Sequence, residues 1–261
     1  MSSHLPLETF RLLDVPVAKI TMPVAVEQVN SWVDEGSSGH VVTFTNVHMI
    51  VEARQDRKFG DLLSTASMNC PDGTPLFWIG RHRHGHPVEQ VAGPDFMLLF
   101  CEQGVARGYR HYLYGGAPGV VETAARTLLN MYPGIQIADM STPPFRPLSA
   151  EEDDRICERI NKSGADLVWV CLGCPKQEKW MFEHRHRLNA KVLLGVGQAI
   201  DILAGARQRA PTIIRHAGME WLYRLCREPG RLWKRYLSTN FLFIFWTMQE
   251  KFARSFQKAK V

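Results

Sequence analysis

The chain predicts an α/β protein: an open, mostly parallel sheet flanked by helices, with a basic helical appendage at its C-terminal end. Three observations point there. Four runs have the length and apolar content of buried strands, namely Val41–Asn46, His111–Tyr114, Asp166–Leu172 and Lys191–Leu194. Each ends at Asn46 or runs into glycine (Gly115-Gly116, Gly173, Gly195), and each leads into a helical pattern. Such alternation builds parallel crossovers, whose ligands bind beyond the carboxyl ends of the strands. A cleft is therefore expected there before any ligand is known.

Taken in order, Phe10 to Ile20 reads as an early strand or hairpin, followed by a helix from about Pro23 to Glu35. Val41-Val42-Thr43-Phe44 then breaks into the polar pair Thr45-Asn46, as a buried strand does on reaching a cleft. From Asn46 to Ala66, the residues Ile50, Ala53, Phe59, Leu62 and Leu63 share one helical face, which predicts a helix there and a short strand before Asp72. Pro94-Asp95 starts another helix, and Pro118 to Met131 forms a further one after Gly115-Gly116. Ser149 with Glu152 is a capping box, so Glu151, Glu152, Asp153 and Asp154 belong to a helix first turn.

At 261 residues and 45% apolar content the chain supports one main domain, 1–205, with an appendage, 206–261. The six cysteines (Cys70, Cys101, Cys157, Cys171, Cys174, Cys226) show no disulfide-framework spacing, which favours a reducing compartment. Met1 to Thr9 lacks the basic start and apolar run of a signal peptide, so a cytoplasmic location is expected. The net charge of +5 is uneven. From Asp201 onward twelve Lys/Arg face four Asp/Glu, a local +8 that leaves −3 for the rest. Within this tail Asn240 to Met248 falls far short of the roughly 18 to 20 apolar residues that cross a bilayer, and suits lying on a membrane instead. A helix packed on a partner or on the core is the alternative. Its basic residues are interleaved with Trp221, Leu222, Tyr223, Leu232 and Trp233, which speaks against nucleic acid.

Pro71-Asp72-Gly73-Thr74-Pro75 sets one carboxylate, Asp72, at the mouth of a tight turn, where an acid can take a proton from a substrate. Asp-Gly is also a common surface turn; its place in the strand series favours the cleft. Gly115-Gly116 lets backbone N–H groups approach an anion such as a diphosphate, with a plain left-handed turn as the alternative. Gln177, just past the third run, offers an amide that both donates and accepts. Other clusters read as structural. The acidic group at Glu151–Asp154 starts a helix and does not end a strand, so no metal is expected there. His82, His84 and His86 alternate with Arg and Gly, and Arg81 and Arg83 would repel a cation, so a solvated basic loop is expected over a zinc site. His184 and His186, two apart in a helical stretch, face apart and carry no metal reading. Cys171 and Cys174 form a Cys-x-x-Cys, but Cys171 falls inside an apolar run and is read as buried, not as a redox thiol.

Thr45-Asn46, Pro71-Asp72-Gly73, Leu113-Tyr114-Gly115-Gly116, Pro175-Lys176-Gln177-Glu178, Arg209-Ala210-Pro211, Glu220-Trp221-Leu222-Tyr223-Arg224 and Glu228-Pro229 occur together in this order. Over about residues 10 to 237 the chain resembles the bacterial WecG/TagA/CpsF glycosyltransferases. The resemblance implies a Rossmann-like domain and an inverting enzyme without metal or cofactor. Its donor would be a UDP-sugar, N-acetylmannosamine-like or hexuronic, and its acceptor an undecaprenyl-diphosphate-linked glycan in surface polysaccharide assembly. Asp72 would be the general base, Thr45 and Asn46 a polar pair near donor and acceptor, and Gln177 the cleft glutamine. Arg224, Arg231 and Lys234, on an appendage at the inner face of the cytoplasmic membrane, would hold a diphosphate. Fixed cations suit that task, since charge developing on UDP must be met without a divalent ion.

Two kinds of departure from the family pattern stand out. Relatives usually space Thr and Asn by one residue, which puts Phe44 at the usual Thr position. Gln90 stands where many carry Arg, and Gly197-Gln198-Ala199-Ile200-Asp201 where many read Gly-Gly-x-Phe-Asp; both changes fall near the expected pocket and leave the choice of donor open. A homo-oligomer is left open. Two other functions compete: a membrane-associated nucleotide-sugar binder without turnover, and a dinucleotide-dependent oxidoreductase. No G-x-G-x-x-G follows the first strand, which weighs against the latter.

Overall fold

A computed structural model describes residues 7–84 and 88–258; Met1 to Pro6, His86 and the side chains of His84 and Arg231 lie outside the described residues. The hairpin expected near the start is present as β1 (Thr9–Leu12) and β2 (Val15–Ala18), turned by Leu13 and Asp14 at positive φ. Helix α1 (Met22–Asp34) begins with Pro23 in its first turn, where a missing N–H is tolerated.

Six strands then form one wholly parallel sheet. They are β3 (His40–Thr45), β4 (Met68–Pro71), β5 (Arg110–Gly115), β6 (Gln136–Ser141), β7 (Leu167–Cys171) and β8 (Val192–Gly195), in the order β4-β3-β8-β7-β5-β6. Every residue of β4, β7 and β8 is buried, as strands covered on both faces require. Alternate side chains divide the core. Val42, Phe44, Leu113, Trp169 and Leu194 pack on α1, α5 (Gly93–Gly104), α6 (Val120–Met131) and α9 (Ala199–Leu203). Val41, Tyr112, Tyr114, Val168 and Leu193 pack on α2 (Val47–Gln55), α3 (Arg57–Ser64), α7 (Ala150–Ser163) and α8 (Lys176–His184). This is the Rossmann-like α/β architecture expected.

Two local expectations are corrected, and one strand is added. The helix read through 46–66 is two helices, because Asp56 leaves the helical region and caps α3, accepting from Phe59 N at 3.2 Å. The apolar stripe runs on unbroken because both pieces lie on the same side of the sheet. Of the basic loop expected at 82–86, the described part, 82–84, is the end of a helix, α4 (Thr74–His84), so His82 and His84 have no strand spacing. Strand β6 was not foreseen; it is an edge strand whose side chains are half-exposed or exposed. The capping box at Ser149 and Glu152 is formed in full.

The C-terminal segment folds into α10 (Thr212–His216), α11 (Glu220–Arg227) and α12 (Pro229–Lys258). α12 lies against α2, burying Leu232 and Phe243. Its other side exposes Trp233, Leu237, Phe241, Ile244, Phe245 and Met248, which share one helical face. No described helix is long and apolar enough to cross a membrane.

Candidate active site

Asp72 leaves the carboxyl end of β4 in a turn whose backbone is tied on both sides. Its N–H donates to Thr45 O at 2.9 Å, and its carbonyl accepts from Gln90 Nε2 at 2.6 Å. So Gln90 anchors the backbone of the predicted base. Loss of water raises the Asp72 carboxyl to a pKa of about 7, with Glu220 adding to the rise, Arg224 and Arg209 opposing it, and Asp95 adding again. A carboxyl balanced near neutrality is poised to exchange a proton.

The appendage supplies much of this field. Glu220 and Arg224 lie on α11, one helical turn apart. Arg224 Nη2 donates to Gln198 Oε1 at 2.5 Å, just past β8, and Arg207 Nη1 pairs with Glu228 at 2.7 Å. Asp95, in the first turn of α5, receives both Nη atoms of Arg209 at 2.5 and 2.6 Å and Nη1 of Arg215 at 3.2 Å. Burial works against its charge, but those guanidinium groups hold its carboxyl below the usual range. Asp95 therefore anchors Arg209 beside the cleft as a fixed cation.

The predicted residues take different places. Asn46 caps α2, its Oδ1 accepting from Met49 N at 3.2 Å, at the strand end beside Asp72. Thr45 is fully buried and bonded to Thr43 at 2.9 Å, while Thr43 donates to Asn69 Oδ1 at 2.6 Å. Asn69 uses its amide N–H groups on Pro16 O and Leu63 O, so Thr43 must give its proton to Asn69 and Thr45 must donate to Thr43. Phe44 points to the other face, in contact with Phe96. At Gly115 (φ 123°) a Cβ would sit 2.3 Å from Cys171 O, and Gly116 N–H donates to that same oxygen at 3.2 Å. The pair thus permits close approach of β5 and β7 through a left-handed turn. Gln177 is 3% exposed, its amide engaged with Gly195 O, Gly197 N and Glu178. Lys234 is exposed, over the ring of Trp233, and the side chain of Arg231 is outside the described residues. Arg209, Asp95, Glu220 and Glu178, for which no role was expected, all stand within the sequence motifs around the cleft.

Cys171 is buried, its thiol pushed up to about 12 by burial and its Sγ bonded to Gly197 O, in keeping with a structural thiol. Asp153, Cys157 and His184 bring ligand atoms within 4.8 Å of one another, a grouping not foreseen. His184 Nδ1 faces Trp180 O at 2.7 Å and Nε2 faces Asp153 at 2.8 Å, while Arg187 seats a cation on the same carboxylate. The cluster ties α7 to α8.

The parallel α/β sheet thus carries a near-neutral carboxyl at its carboxyl edge, with guanidinium groups gathered over it. The sequence model of the WecG/TagA/CpsF glycosyl transferase family matches residues 10–257, and the chain belongs to that family and is a glycosyltransferase. Among its relatives is a protein of Staphylococcus aureus (strain MW2), 28% identical over 251 residues, 95% of each chain. Another, from Bacillus subtilis (strain 168), is 26% identical over 232 residues, 89% of this chain and 88% of the relative. A third, from Bacillus spizizenii, is 29% identical over 209 residues, 80% and 78%. All three are named N-acetylglucosaminyldiphosphoundecaprenol N-acetyl-beta-D-mannosaminyltransferase.

Proposed function

We propose that this enzyme transfers a sugar, N-acetylmannosamine-like or hexuronic, from UDP to an undecaprenyl-diphosphate-linked acceptor in surface polysaccharide assembly, with inversion. The observation that carries the reading is the Asp72 carboxyl, lifted to about 7 beside Arg224 and Arg209. Asp72 removes the proton from an acceptor hydroxyl as that oxygen attacks the anomeric carbon opposite UDP. Breaking the bond to UDP leaves charge on its diphosphate, which Arg224 and Arg209 meet as fixed cations. No metal or cofactor is assigned a role, so turnover should persist in EDTA.

The relatives' names supply the acceptor class, and the exposed face of α12 supports a seat at the inner leaflet for residues 206–261. Its aromatic and aliphatic side chains would enter the headgroup boundary while Lys234 meets anionic lipid. Because α12 also packs on α2, truncation would uncover core. The better variant is Phe241→Ser with Ile244→Ser and Phe245→Ser, which should leave anionic vesicles on sedimentation while keeping the wild-type fold. Equal sedimentation would refute attachment through this face.

UDP release measured with vesicle-borne acceptor tests the chemistry. Asp72→Asn should lower turnover by about 10²–10⁴-fold with little change in donor affinity. Undiminished turnover would remove Asp72 from the mechanism, and binding without turnover in the wild type would favour a nucleotide-sugar sensor.

A further inference from the structure

Glu178 is fully buried in the first turn of α8, a few residues past β7, and forms no ion pair among the described residues. Its Oε1 accepts from Gln177 Nε2 at 2.7 Å, and the Cys174 thiol and the residue's own backbone N–H also face the carboxyl. A carboxyl placed so far from water is costly unless hydrogen bonds or a bound proton offset the loss of solvent. We infer that Glu178 is a positioning residue, whose carboxyl locks the Gln177 amide in the one orientation that holds the loop after β8 beneath Arg224.

The amide of Gln177 has three neighbours with fixed demands. Gly195 O, at 3.1 Å, can only accept, and Glu178 Oε1 accepts on the same end. Gly197 N–H can only donate, and does so to Gln177 Oε1 at 3.1 Å. One amide orientation satisfies all three, and the Glu178 carboxyl makes the flipped one unfavourable by opposing oxygen to oxygen. The loop so fixed continues directly into Gln198, whose Oε1 receives Arg224 Nη2 at 2.5 Å. Glu178 thereby acts on the cleft through Gln177, the Gly195–Gln198 loop and Arg224. Burial lifts its pKa to about 7, so a neutral replacement relieves the fold of an ionisation penalty and should not unfold it.

The test compares Glu178→Met, which removes the acceptor, with Glu178→Gln, which can still present an oxygen to Gln177. Hydrogen exchange at the Gly197 amide should quicken about tenfold or more in the Met variant, with a thermal midpoint no lower than wild type, and stay near wild type in the Gln variant. For transfer, which rests on the function proposed above, kcat/KM should fall about tenfold in the Met variant and recover with Gln. Gln177→Ala combined with Glu178→Met should be no worse than Gln177→Ala alone, since both act through one amide. Unchanged Gly197 exchange in the Met variant, or additive losses in the double variant, would overturn the assignment. Exchange is read without any sugar donor, so absence of UDP-sugar turnover in the wild type would sink the proposed function and leave this test intact.

Discussion

Asp72→Asn should make the protein more stable at the same time as it removes activity, and the size of the gain follows from the cleft. In the folded chain the carboxyl titrates near 7, against an ordinary value of 3.8. Below pH 3.8 it is protonated in both folded and unfolded chains and has no effect on stability. As pH rises from there, the unfolded chain releases its proton and the folded one retains it, so stability is lost until about pH 7. At about 1.4 kcal/mol per pH unit the interval amounts to about 4 kcal/mol, and access of water to the partly exposed residue reduces this to about 2–4 kcal/mol. Asn carries no such penalty. Urea unfolding at pH 5 and pH 8 should show the variant gaining more at pH 8, by about 2 kcal/mol. Equal gains at both pH values, or none, would mean the carboxyl is well solvated, and the argument for a base tuned to neutrality would fail with it.

The neighbours of Asp72 should move its titration in opposite senses. Glu220→Gln should shift the acidic limb of the kcat/KM profile to lower pH, and Arg224→Gln should shift it higher, because a like charge raises and an opposite charge lowers the carboxyl. His111 is fully buried, accepts from Trp169 Nε1 at 3.0 Å, and is pushed by burial to a pKa of about 4. Its folded pKa is depressed, so the unfolded chain binds the proton first and stability falls as pH drops from 6.5 to about 4, by about 3 kcal/mol; His111→Phe should flatten that stretch of the unfolding curve. Gly115→Ala should lower stability by about 2–4 kcal/mol in the same assay, as its Cβ would meet Cys171 O in a conformation that disfavours side chains. Wild-type stability in that variant would contradict the close approach of β5 and β7.

What could be read from the chain, and what could not, divides along physical lines. β3, β5, β7 and β8 were legible because strands buried on both faces must be apolar along their length, whereas β6, with Gln136, Asp139 and Ser141 on an edge, carries no such signature. The break at Asp56 was hidden because hydrophobic periodicity reports the face a helix covers and not where its backbone turns. Asp72 was visible as a turn residue after a strand. The two roles least visible were those of Thr45, whose proton goes to Thr43, and of Gln177, whose amide is held inside the loop connections.

Sequence alone determined the alternation of strand and helix and the turn that sets Asp72 at the carboxyl edge of the sheet, since each follows from local pattern and turn chemistry. The tertiary structure decided which charges meet. Asp95 finds Arg209 and Arg215 across more than a hundred residues of chain, and Asp72 owes its raised proton affinity to lost water and to Glu220 on a distant helix, with Arg224 on the same helix opposing the rise. Electrostatic energy depends on separation through space and on exclusion of water, and neither quantity exists until the chain has folded.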